Sequence, residues 1–275
     1  MADQPAIEPM HQFLIETIVQ GPVFNVGGLT FDLSITNSVV SMVAGALILV
    51  TFFMLTARRE IVPNRGQALA ESLYNIVDRV LVSPIIGEHG KPYVPYLLGL
   101  FLFILVLNLM GVLLAFGNLV GLEWTFSVTA QLAVTAALSV LTFFSIFFLG
   151  FIKHGPKFLT LFAPSGMPKL MLVFMVPIEM LSYFVRPVTL AMRLFGNMLG
   201  GHVVMSLFGS FVVALALLGL SGGLATLAFV PSVLSFGMIV ALTGLEVVVA
   251  ILQAFVFVAL ATVYLNEVVN FGHGH

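Results

Sequence analysis

The chain has 275 residues, 60% of them hydrophobic and only 8% charged, against about 25% charged in a soluble domain, so it reads as an integral membrane protein. Its formal net charge of -2 argues against a nucleic-acid partner, and the absence of cysteine excludes disulfides, thiolate metal sites and thiol catalysis. In the first 20 residues Asp3, Glu8 and Glu16 occur without any Lys or Arg. That start lacks the basic n-region of a cleaved signal peptide, and the N-terminus is expected to be retained.

Apolar stretches long enough to cross a bilayer, about 20 residues each, run over 36–57, 93–114 and 128–152. Beyond them the apolar character persists over 169–218 and again over 232–266, roughly 75 and 50 Å if helical, with only GLSGGLATLAFVP between. Both lengths exceed the roughly 30 Å hydrocarbon thickness. The pattern predicts an all-α integral membrane protein of about five to six hydrophobic helices, the last two forming a long, steeply tilted antiparallel hairpin bent at Pro177 and Pro187. A separate interfacial helix over 169–185 is the alternative. Eight of the ten Lys and Arg fall in two connecting segments, Arg58, Arg59, Arg65, Arg79 and Lys91 in one, Lys153, Lys157 and Lys169 in the other. Residues 1–36, the loop around Glu123 and the turn near Ser221 have none. The positive-inside rule then puts the N-terminus outside, the basic segments on the cytoplasmic or matrix side, and the C-terminus inside. In domain terms this is one membrane unit over 1–275, with an external segment at 1–35, an inner-side loop at 58–92 and the hairpin at 170–266. Within that loop, 66–83 has the helical spacing of an interfacial helix, or is a plain connection.

The two remaining basic residues, Arg186 and Arg193, lie inside the first long helix. An arginine at mid-span costs at least about 2.5–3.5 kcal/mol and cannot shed its proton, so it faces a bundle interior, a water-filled cavity or a partner. At about 100° per residue, Glu179, Ser182, Arg186, Thr189 and Asn197 fall within about 40° of Arg193. Gly196 and Gly200, spaced GxxxG, sit on the same side, either for a partner helix or for ordinary packing. His202 points elsewhere. On the second long helix Glu246, Gln253 and Tyr264 share a face within about 20°, and one antiparallel register, in which position numbers of level residues have a nearly constant sum, pairs Arg193 with Gln253 and His202 with Glu246. A lone buried His is more often a core residue; a His and a carboxylate at one depth suit proton transfer. Asn108 in the second span is either part of an outer polar path or packing glue. By topology Glu179 lies inward of Arg193, and His202 with Glu246 outward of it. No midplane carboxylate of this chain can carry a proton past the arginine, so that carboxylate belongs to another subunit.

The run RLFGNMLGGH resembles the signature of the a subunit of F-type ATP synthase, and TGLEVVVAILQAFVFVALATVYLN resembles that family's last helix. PNRGQALAESLYNIV and NLMG around Asn108 extend the similarity over most of the chain beyond about residue 35. The resemblance implies a proton-conducting stator subunit: Arg193 is its essential arginine, Asn197 and Gln253 lie beside it, and Glu179 lines the inner half-channel. The order of His202 and Glu246 is the mitochondrial-type one. Where some members carry an acid three residues after the asparagine, this chain has Gly111, so the outer channel must use other groups. The implied partners are the c-ring, peripheral-stalk b subunits, the F1 sector through the complex, and membrane lipid. No cofactor is implied, and the location is an energy-transducing inner membrane, bacterial or mitochondrial. No Walker A motif occurs, so nucleotide chemistry lies on other subunits and the chain alone is not an enzyme. A self-contained ion-coupled transporter would show internal repeats, and none is found; a structural anchor leaves the polar stripe unexplained.

Overall fold

The computed structural model of the chain describes residues 15, 17–26, 29–32, 34–56, 63–119, 127–162, 169–220 and 222–271. Among the described residues seven α-helices dominate: α1 Asn37–Thr56, α2 Arg65–Ile76, α3 Ser83–Ile85, α4 Val94–Leu119, α5 Leu132–His154, α6 Lys169–Leu220 and α7 Phe229–Val269. Among the described residues five helical stretches are long and apolar enough to cross a membrane. Arg58, Arg59 and Glu123, used above for sidedness, lie outside the described residues.

Short antiparallel ribbons precede α1, within the N-terminal segment expected outside. Strand β1 (Thr17–Val19) pairs with β4 (Ile35–Thr36), and β2 (Val23–Val26) with β3 (Leu29–Asp32). Their β-branched and aromatic residues, TIV, VFNV and LTFD, favour extended pairing over helix.

Segment 66–83 is helical. Asn64 caps α2 by accepting the Arg65 amide at 2.7 Å, Gln67 donates to Glu71 one turn on at 2.8 Å, and a π-helical turn over Val77–Val82 follows, burying Val77, Leu81 and Val82.

Helix α6 runs without interruption through Pro177 and Pro187, so the alternative of a separate helix over 169–185 is not realised. Fifty-two helical residues reach about 78 Å, more than twice the hydrocarbon thickness. Proline has no amide hydrogen, which leaves the α6 ladder one bond short at each site. A neighbouring helix reinforces this region: Ser139 of α5, fully buried, donates its hydroxyl to the Pro187 carbonyl at 2.6 Å.

Contacts divide the chain into two compact units, and most of the long helices contribute to both. The unit of Met1–Leu47, Leu105–Gln131 and Phe195–Leu252 has a core of Val112, Ala130, Met198 and Ala250. Within it α6 and α7 run antiparallel, with Ser232 donating to the Val212 carbonyl at 3.1 Å and Thr243 to the Met205 sulfur at 3.6 Å. Phe229 lies where a side chain on Gly219 would be. Because lipid is as apolar as leucine, such close approaches and polar bonds, more than a hydrophobic drive, hold membrane helices together. The second unit, Ile48–Ile104, Leu132–Leu194 and Gln253–His275, is built on Phe143, Phe162 and Tyr183. In it the end of α7 is capped by α5: Lys153 donates to the Val269 carbonyl at 3.2 Å, and His154 Nε2 lies 2.8 Å from that of Val268. Cationic or donor side chains suit the electron-rich carbonyls at a helix C-terminus.

Candidate functional site

In the second unit α6 has a packed face and a bare one. Tyr183, Pro187, Leu190, Ala191 and Leu194 are buried, at the spacing of one helix face, while Ser182, Thr189 and Arg193 are exposed and Glu179 is half-buried. The burial pattern follows the periodicity read from the sequence. Arg193 therefore presents its charge away from the chain's own packing, and among the described residues no carboxylate forms an ion pair with it.

Arg186, grouped with Arg193 on the same stripe above, has a different environment. Its Nη1 lies 2.8 and 2.6 Å from the two carboxylate oxygens of Glu267 on α7. Its guanidinium sits over the rings of Tyr183 and Tyr264, 5.1 and 5.0 Å from their centroids. Among the described residues one arginine is neutralised inside the chain and the other forms no ion pair. Glu267 was missed in the sequence. Its signal was available, since it lies three residues beyond Tyr264 on the same helix and 81 positions from Arg186, close to the antiparallel register. Gln253, in this unit, is buried at 4% exposure.

The first unit holds the other predicted residues. His202 and Glu246 are buried, at 3% and 6% exposure, whereas Gly196, Asn197 and Gly200 on α6 are exposed. The Glu246 side chain lies against Gly201, where an added Cβ would come within 2.8 Å of its Cδ. That contact brings Glu246 to the residue beside His202, at the depth which the register predicts. Contacting positions of α6 and α7 in this unit have numbers that add to between 444 and 448. A pocket of about 240 Å³ opens here, lined by Asn197, Gly200 and Val204 from α6 and by Leu245, Glu246 and Val249 from α7 among others. Neither Glu246 oxygen has a hydrogen-bond partner among the described residues, and a buried carboxylate without one is held at a cost unless water or a proton joins it. Asn108, fully buried, donates Nδ2 to the Ala250 carbonyl at 3.3 Å while its Oδ1 has no partner among the described residues. It glues α4 to α7 and still offers an acceptor. No cluster of three metal-ligating side chains is found among the described residues.

Comparison with known proteins then gives consistent results. The family model described as ATP synthase A chain matches residues 38–266. The ATP synthase subunit a of Mesorhizobium japonicum is 41% identical over 268 residues, covering 97% of this chain and 98% of that protein. That of Rhizobium johnstonii is 42% identical over 270 residues, covering 98% and 99%. That of Rhodopseudomonas palustris is 40% identical over 268 residues, covering 98% and 100%.

Proposed function

The chain belongs to the ATP synthase A chain family, and from that premise we propose that it is the proton-conducting stator subunit of a rotary ATP synthase, with Arg193 as the fixed charge facing the rotor. The observation that carries this reading is the exposure of Arg193 on a helix whose opposite residues are packed. A permanent charge in an apolar span is tolerated only beside water, a counter-charge or a partner. Arg186 has its counter-charge within the chain; among the described residues Arg193 has none, and the reading supplies it from the rotor.

A ring of c subunits, each with a membrane carboxylate, supplies that group. As a carboxylate passes, the guanidinium favours its ionised form and so releases its proton to one half-channel. The same positive charge repels a proton that would cross directly from one half-channel to the other. Protons therefore load from one side and leave on the other after nearly a full turn of the ring. Glu179, with Ser182, serves the inner half-channel. His202, Glu246 and Asn108 serve the outer one, Asn197 and Gln253 flank the crossing point, and Tyr264 adjoins the inner path through its contact with Arg186. The peripheral-stalk b subunits hold the chain still against the rotor's torque and link it to the F1 sector, where nucleotide is handled. The N-terminus lies outside and the C-terminus inside an energy-transducing inner membrane.

Arg193→Ala tests this. The variant complex is expected to assemble with its ring, lose ATP-driven proton pumping and ATP synthesis, and retain or raise passive proton leak. Arg193→Lys is expected to fail too, because the ammonium is a hydrated point charge that can yield its proton on burial. Acidification of membrane vesicles, driven first by ATP and then by an imposed potential, measures both. Normal ATP-driven pumping by assembled Arg193→Ala removes the residue from the mechanism.

A further inference from the structure

Resting on the proton-conducting reading, we propose that the hydroxyls of Ser127 and Thr129 form the outer mouth of the proton route and hand protons by way of water to His202. The 3₁₀ turn Val128–Ala130 and the residue before it lie between α4 and α5, with Ser127 4% and Thr129 1% exposed. Both hydroxyl oxygens are buried without a hydrogen-bond partner among the described residues. Buried hydroxyls are almost always bonded, to protein or to ordered water, so two unbonded ones within three residues mark a place where water belongs.

Gly111 shows where that place leads. A Cβ added there would stand 2.6 Å from Ser127 Oγ and 3.7 Å from His202 Nε2. The two atoms flank one small volume, and their separation cannot exceed the sum of those distances, a gap that one or two waters bridge at ordinary hydrogen-bond lengths. The absence of a side chain on Gly111 thus leaves room for the Ser127 hydroxyl at the point from which a longer residue would project. The polar line continues away from His202. Two residues after Thr129, Gln131 accepts the Ser38 hydroxyl at 2.9 Å, and Ser38 stands in the first turn of α1, the external end of that span on the topology above. Towards the interior, Glu246 lies against Gly201, beside His202.

A hydroxyl suits such a mouth because it donates one hydrogen bond and accepts two. A proton arriving on an outer water is taken by Ser127 Oγ as that oxygen gives its own proton to the next water, which passes one on to His202. The hydroxyl is neutral before and after, one proton has advanced, and no redox change occurs.

The test uses silver ion on the intact complex, with native thiols in other subunits replaced. Ser127→Cys and Thr129→Cys complexes are expected to retain measurable pumping that silver ion, added on the outer side, then abolishes. A Thr262→Cys complex, whose buried hydroxyl is spent on the Val258 carbonyl at 2.7 Å, is expected to stay active. Silver insensitivity at both 127 and 129, or equal block at 262, overturns the proposal. Should a cysteine variant fail to assemble, Ser127→Ala should slow ATP synthesis driven by external acid and Ser127→Thr should restore it; full activity of Ser127→Ala overturns it. None of these outcomes bears on the arginine, so failure here is separable from failure of the Arg193→Ala test.

Discussion

The ion pair between Arg186 and Glu267 can be separated into its parts. The two side chains are 22% and 30% exposed, between the surface pairs that contribute about 0–1 kcal/mol and the fully buried ones whose disruption costs about 3–5 kcal/mol. Glu267→Gln, which keeps the shape and removes the charge, is therefore expected to cost about 2 kcal/mol. Arg186→Gln should cost somewhat more. It also strips the cation from two tyrosine rings, each such contact being worth roughly 0.5–1 kcal/mol. The double variant has neither an uncompensated carboxylate nor an uncompensated guanidinium, and should lose about 1.5 kcal/mol less than the two single losses together. The assay is the thermal unfolding midpoint of the purified complex for all four forms. At roughly 2–4 °C per kcal/mol for a chain of this size, Glu267→Gln should lower it by about 4–8 °C. Single losses that add to within about 0.5 kcal/mol would show that the pair is a neighbourly arrangement with no energetic coupling, and the structural distinction between the two arginines would lose its basis.

Other outcomes follow from the same geometry. Gly201→Ala should displace the Glu246 carboxyl, since the new Cβ would stand 2.8 Å from its Cδ. Overpacking of that kind costs about 1–3 kcal/mol, and pumping should fall while Gly200→Ala, which meets nothing within 4 Å in this chain, leaves chain stability intact; equal stability of the two variants would refute it. His202→Glu and Glu246→His alone should each impair ATP-driven pumping by leaving two like groups together, and the exchange of both should recover part of it. A double variant no better than the combined single defects predict rules out the coupling. For sidedness, cysteines replacing Asn64 and Lys157 should be labelled by an impermeant maleimide from the inner side only, and one replacing Asn25 from the outer side only. Lys157 is the better inner reporter than nearby Gly155, whose φ of 58° a cysteine would strain. Outer labelling at 157 inverts the topology.

The helices and the face each one presents were legible because they depend on local properties. Hydropathy over about 20 residues marks a span, and helical periodicity already separated Arg193, Thr189 and Ser182 from the side on which Leu190, Ala191 and Leu194 pack. Even the depth of Glu246 was readable, since antiparallel helices joined by a short turn have little freedom of register. What no local rule could supply was the identity of partners distant in sequence. Arg186 and Arg193 are seven residues apart, chemically identical and on one stripe, yet among the described residues only Arg186 meets a carboxylate, because Glu267 on the returning helix faces it. Likewise Ser127 sits outside every span and carries no motif. Only the tertiary packing, with room left for its hydroxyl by the missing side chain at Gly111, puts it near His202.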